Sequence, residues 1–143
     1  MNNIAETLLL TFCNNFVAYY TTHQAHANTT GRNFYSDHLL LGTIYESLQD
    51  EVDTIGEFLR ALDEPMPTSL TDIIATSNIE DGLSFGDSYI KDINFILGEL
   101  IDTYVELQAV TKDTPEHMDL NNYAQDQIKN LHKFRWMLRS TME

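Results

Sequence analysis

Two stretches carry residues that could bind a metal ion: HQAHANTTGRNFYSDH at 23–38, with three imidazoles, and VDTIGE at 52–57, with two carboxylates. Imidazole and carboxylate together suit iron, zinc or manganese, and anionic oxygen ligands favour Fe(III) over Fe(II). Helical spacing limits how such a site could be built. In one helix over 34–62, Asp53 lies 15 residues beyond His38 (53 − 38), which is about 22 Å along the axis at 1.5 Å per residue. No ion bonded at roughly 2 Å reaches both. An antiparallel copy of the same helix, related by a two-fold axis, brings His38 of one chain beside Asp53 and Glu57 of the other. The spacing therefore calls for a homo-oligomer, at least a dimer.

The elements that must position these residues are helices. Leu9, Phe12, Phe16, Tyr19, His23 and His26 recur at alternating steps of three and four, so a first helix is expected with the two histidines continuing its core stripe. Asn28, Thr29, Thr30 and Gly31 break the pattern, and the short connection makes an αα-hairpin. The second helix turns Leu41, Ile44, Leu48, Val52, Ile55 and Leu59 inward and stops before Pro65 and Pro67. In the connection that follows, SLTDIIATS (69–77) reads as a short helix and EDGLSFGDS (80–88) as a loop. Ile90, Ile93, Leu97, Leu100, Tyr104 and Leu107 define a third long helix, whose Gly98 costs about 1 kcal/mol relative to Ala unless close packing compensates. Thr114 suits an N-cap and Pro115 a first helical position, opening a fourth helix with Leu120, Ala124, Ile128, Leu131, Phe134 and Leu138 inward. The expectation is an all-α, ferritin-like four-helix bundle with one crossover, a short helix lying between helices two and three.

With 143 residues and 43% apolar content, residues 1–143 are expected to form one domain with an adequate core. The start, MNNIAETLLLTF, lacks a basic n-region, and no run approaches the roughly 18 apolar residues of a membrane span. A soluble, cytoplasmic protein without a membrane partner is expected. The lone cysteine, Cys13, excludes intrachain disulfides and reads as a small core residue. Phosphate-binding and dinucleotide-binding glycine motifs are missing, as is a recognisable Ser or Cys nucleophile motif. Trp136 reads as a packing residue. His117 and His132 stand in no Glu-x-x-His pattern of a di-iron site inside a single bundle, which disfavours ordinary ferritin.

QAH at 24–26, the turn ending at Gly31, Asn33 and Phe34, His38, and then VDTIGE resemble the Dps proteins, or mini-ferritins. PMPTSLTDIIATSNIEDG (65–82) and HKFRWML (132–138) are similar to that family's connecting segment and fourth-helix ending. The resemblance implies a twelve-subunit shell that binds Fe(II) at two-fold interfaces, oxidises it, commonly with hydrogen peroxide, and stores ferric mineral. It implies His26 and His38 from one subunit and Asp53 and Glu57 from its partner, each both metal ligand and catalytic residue of a ferroxidase. It also suggests Asp119 and Asp126 as the lining of a cation-entry pore. Taken singly, each of these residues has an ordinary reading as a helix-end histidine or a solvated carboxylate.

Two positions depart from the family pattern. Gly42 stands where the family has a carboxylate four residues after the second histidine, and Ala27 replaces the tryptophan after the first. The first suggests a weakened second iron position, for which Glu46, on the same stripe, is a candidate substitute. Together they motivate an alternative: a non-catalytic ferritin-like assembly protein with a degenerate site. His23 reads as a residue beside the site. Many Dps proteins bind DNA through lysine-rich tails, but this chain starts MNNIAET, ends STME, and carries 8 basic against 22 acidic residues, a net charge of −14. No DNA binding is expected, and a clear gel shift of duplex DNA at about 150 mM salt would refute this.

Overall fold

A computed structural model describes residues 2–83 and 89–143. They form α1 (Asn3–Asn28), α2 (Phe34–Ala61), a short α3 (Leu70–Thr76), α4 (Tyr89–Thr111) and α5 (Met118–Met142), with no strand among the described residues. The four long helices are the bundle expected from periodicity, and α3 is the short helix in the crossover. The last part of the loop expected at 80–88 falls on 84–88, outside the described residues. Helix α1 packs on α2 and α4, and α4 on α5, around one hydrophobic cluster. No helix among the described residues is long and apolar enough to cross a membrane.

Local chemistry explains where the helices start and stop. The Asn2 side chain accepts from Ala5 N at 2.8 Å, which satisfies one of the free N–H groups at the start of α1. Helix α2 ends in a Schellman turn: Glu64 N donates to Leu59 O and Asp63 N to Arg60 O, both at 3.0 Å, with Asp63 left-handed at φ 62°. The Ser69 hydroxyl caps α3 by accepting from Asp72 N. The fourth long helix opens one turn later than expected. Pro115–His117 is a 3-10 turn and Thr114 makes no side-chain cap.

The inward face of α1 differs from the one its apolar residues suggest. The buried line is Leu8, Phe12, Asn15, Ala18, Thr22 and Ala25, whereas Leu9, Phe16, Tyr19, His23 and His26 are only half-buried. The two histidines therefore flank the core instead of continuing it. Polar residues occupy that line because most of their polar atoms find partners there. Asn15 Nδ2 donates to Leu48 O at 2.9 Å, although its Oδ1 has no partner, and Thr22 Oγ1 donates to Ala18 O at 2.7 Å. Asn14 accepts from Ser77 Oγ (2.7 Å) and Asn78 N (3.0 Å), and its Nδ2 donates to Asn78 Oδ1 (2.9 Å) and Thr103 Oγ1 (2.8 Å). This one side chain ties the connection after α3 to both α1 and α4.

On the other helices the expected stripes point inward, with Val52, Ile128 and Phe134 half-buried at the margin. Cys13 is a buried core residue. At Gly98 a Cβ would come within 2.9 Å of Arg135 Nη1, so the glycine lets the guanidinium of α5 lie across α4, where Arg135 Nε donates to Asn94 Oδ1 at 3.1 Å. Trp136 departs from expectation. It lies two residues from both Phe134 and Leu138, hence on the opposite side of α5, and is 56% exposed.

Candidate metal centre

The α1–α2 hairpin brings His26 and His38 together. Gly31, at φ 108°, supports the turn between them, and Phe34 N donates to Gly31 O at 3.1 Å as α2 begins. The two imidazoles then bond each other's backbone: His26 Nδ1 lies 2.7 Å from His38 O, and His38 Nδ1 lies 2.8 Å from His26 O. A carbonyl oxygen only accepts, so both Nδ1 atoms carry the proton. Each neutral ring is left with its lone pair on Nε2, the tautomer and orientation that a metal-ligating histidine needs. The rings stack with centroids 3.8 Å apart and planes 18° apart. Lone pairs lying in nearly parallel planes do not converge on one point, so as placed each imidazole addresses its own position.

Aromatic side chains wall this pair. Phe34 stacks on His38 at 5.0 Å, Tyr45 lies 5.0 Å from His26, and Tyr45 also stacks on His23 at 4.0 Å with planes 9° apart. Sequence reasoning missed Tyr45 altogether and used Phe34 only as part of the family resemblance, with no place in the wall. Spacing could have found them, because 34, 38, 42 and 45 follow steps of four, four and three along one helical face. His23 is half-buried beside the pair, and its Nδ1 is buried without a partner. Ala27 and Glu46 are exposed.

Gly42 is buried directly beneath His26. A Cβ there would stand 3.0 Å from both Cε1 and Nδ1 of the ring, inside ordinary van der Waals contact.

Asp53 and Glu57 are exposed on α2 and adjacent to each other. A hydrogen bond with Asp53, Asp53's negative charge and some desolvation raise the Glu57 carboxyl above the usual carboxylate range. Two acidic side chains one turn apart thus repel each other where a cation would relieve that repulsion. Along α2 Asp53 and Glu57 remain about 22 and about 28 Å from His38, and no three His, Cys, Asp or Glu side chains converge among the described residues of one chain. Within one chain the histidine pair and the carboxylate pair are separate groups. Asp119 and Asp126 are exposed on α5, and the Asp119 carboxylate accepts from Leu120 N at 2.9 Å.

A second polar group lies inside the bundle. Tyr123 Oη donates to Glu51 Oε1 at 2.7 Å and lies 3.5 Å from Tyr104 Oη. Desolvation is the largest effect on all three groups and raises their pKa values.

The ferritin-like domain family model matches residues 6–143. A DNA protection during starvation protein of Helicobacter pylori is 26% identical over 132 residues, 87% of this chain and 88% of that one. Two solved structures share the fold. The Vibrio cholerae Dps protein, described as a member of a broad superfamily of ferritin-like diiron-carboxylate proteins, superposes with a TM-score of 0.90 at 21% identity, over 98% of this chain and 89% of that one. Antigen TpF1 of Treponema pallidum gives 0.90 at 24% identity, over 98% and 91%. With its bundle, its crossover helix and a model match running almost from end to end, the chain belongs to the ferritin-like domain family.

Proposed function

We propose that this protein is a Dps-like mini-ferritin: residues 1–143 act as one ferritin-like unit, assemble with copies of themselves into a hollow dodecamer in the cytoplasm, bind Fe(II) between subunits, oxidise it and store the ferric product. The observation that carries this reading is the reciprocal Nδ1–carbonyl pairing of His26 and His38, which leaves two Nε2 lone pairs free on one hairpin. The other half of the site is the Asp53–Glu57 pair of a partner chain. Phe34 and Tyr35 and Leu39 are 41%, 73% and 50% exposed around half-buried His38, an apolar rim suited to the flank of a neighbouring copy.

Iron is the substrate and cargo, with zinc or manganese able to occupy the same donor set. Each imidazole offers an uncharged lone pair to a ferrous ion at its own position, while the Asp53 and Glu57 carboxylates supply the negative charge that favours the ferric product. Two ferrous ions supply the two electrons, and the solvent two protons, that reduce one hydrogen peroxide to two waters, which bypasses the one-electron route to hydroxyl radical. Tyr45 and Phe34 keep water from one side of the imidazole pair. Neither DNA nor membrane is a partner in this reading, given the net charge of −14.

The test is the initial rate of ferric-oxo absorbance growth after Fe(II) addition to metal-free protein, with and without peroxide, for wild type and an Asp53→Ala, Glu57→Ala double variant. A protein-dependent rate that collapses in the variant is expected. Wild type no faster than buffer would leave the alternative, a ferritin-like assembly without oxidation chemistry, which Gly42 and Ala27 favour.

A further inference from the structure

Gly42 is open to two interpretations: a ligand position that has been vacated, or a position whose emptiness is needed. We infer that it is the second: Gly42 is a positioning residue that lets His26 lie flat on α2, and restoring a carboxylate there would weaken metal binding in this chain. This rests on reading His26 and His38 as a metal half-site. A Cβ on residue 42 would sit 3.0 Å from Cε1 and Nδ1 of His26, the ring edge engaged with His38 O. The ring has little freedom to retreat. Its Nδ1 is held at 2.7 Å from the carbonyl, its face is stacked on His38 at 3.8 Å, and Tyr45 stands 5.0 Å away.

Any side chain at 42 therefore acts first on the Nδ1–carbonyl bond, and through it on the tautomer and aim of Nε2. A carboxylate introduces the same Cβ and then adds a charged acceptor beside a ring whose Nδ1–H it can capture from His38 O. The backbone carbonyl that fixes the ligand would lose its donor. The glycine and the histidine clasp are thus one device.

The test compares wild type, Gly42→Ala and Gly42→Asp, each confirmed as assembled by size, with Co(II) as the probe. Calorimetry gives equivalents bound per chain and affinity; solid-state NMR of 15N-histidine-labelled, metal-free protein reports which ring nitrogen carries the proton, with a His26→Ala variant assigning the signal. Wild type should show His26 protonated on Nδ1. Gly42→Ala should lose that signature, and Gly42→Asp should keep the proton on Nδ1 but turned from His38 O to the new carboxylate. Both should bind Co(II) about 10- to 100-fold more weakly, the usual effect of removing a partner that orients a ligand, and Gly42→Asp should gain no further equivalent. Tighter binding or an extra equivalent in Gly42→Asp, or an unchanged His26 signature in Gly42→Ala, would overturn the inference while leaving the site reading intact. Wild type that binds no Co(II) would instead overturn the site reading; the NMR comparison would still decide whether Gly42 sets the tautomer.

Discussion

If histidines and carboxylates of one site come from different chains, two inactive variants should restore each other. One variant carries His26→Ala and His38→Ala, the other Asp53→Ala and Glu57→Ala, and the two are co-expressed in equal amounts. A two-fold interface contains two equivalent sites, each taking its histidines from one chain and its carboxylates from the other. In a mixed pair, one site receives both sets of lesions and the other receives none. Random pairing makes about half of the interfaces mixed, so about one quarter of all sites should be intact. Ferrous oxidation and Co(II) uptake should therefore reach about one quarter of wild type in the mixture and background in each variant alone. The magnitude follows from random pairing about a two-fold axis, and the premise that the ligands come from different chains from the roughly 22 Å that one straight helix imposes between His38 and Asp53. Were the four residues to act within one chain, every chain in the mixture would be defective. A co-assembled mixture no better than its components would refute the intersubunit site.

Two further outcomes test the account of the fold. Asn14→Ala leaves Asn78 N without its acceptor, strips Ser77 and Thr103 of a partner, and opens space between α1 and α4. A loss of about 2–4 kcal/mol is expected, from buried groups left unsatisfied at about 1–3 kcal/mol each, measured by denaturant unfolding at fixed chain concentration; a loss below about 0.5 kcal/mol, the range of ordinary surface changes, would remove Asn14 as the tie. For Cys13, burial pushes the thiol up to about 11 against the opposing hydrogen bond with Thr76, so the nucleophilic thiolate is scarce until the pH approaches that value. Iodoacetamide should leave folded protein unmodified at pH 8 and label it fully once unfolded in denaturant; rapid labelling of the folded protein at pH 8 would contradict the buried, raised thiol.

Much of this molecule is legible without coordinates because helical periodicity and chain-breaking residues are local properties. Pro65 and Pro67 place the end of α2, Ser69 opens α3, and the Ile90 to Leu107 stripe places the core of α4. The resemblance of 23–57 to a known iron-binding pattern was legible for the same reason: its residues sit at fixed offsets. What misled was polarity on α1. Asn14, Asn15 and Thr22 look like surface residues, yet they are buried, since their partners lie on other elements or on a carbonyl one turn back. The phase of the α1 stripe shifted with them, taking His23 and His26 from the core line to its flank.

Spacing along the chain alone says that one site holding both His38 and Asp53 would need a second copy, because the rise of a helix is a constant and the two residues share one helix. The protonation of the imidazoles, their stacking, the wall made by Phe34 and Tyr45, and the need for an empty space at residue 42 were decided only when α1 folded against α2. Each depends on a carbonyl, a ring face or a Cβ contact contributed by a residue distant in sequence, and such contacts leave no period for a pattern to show.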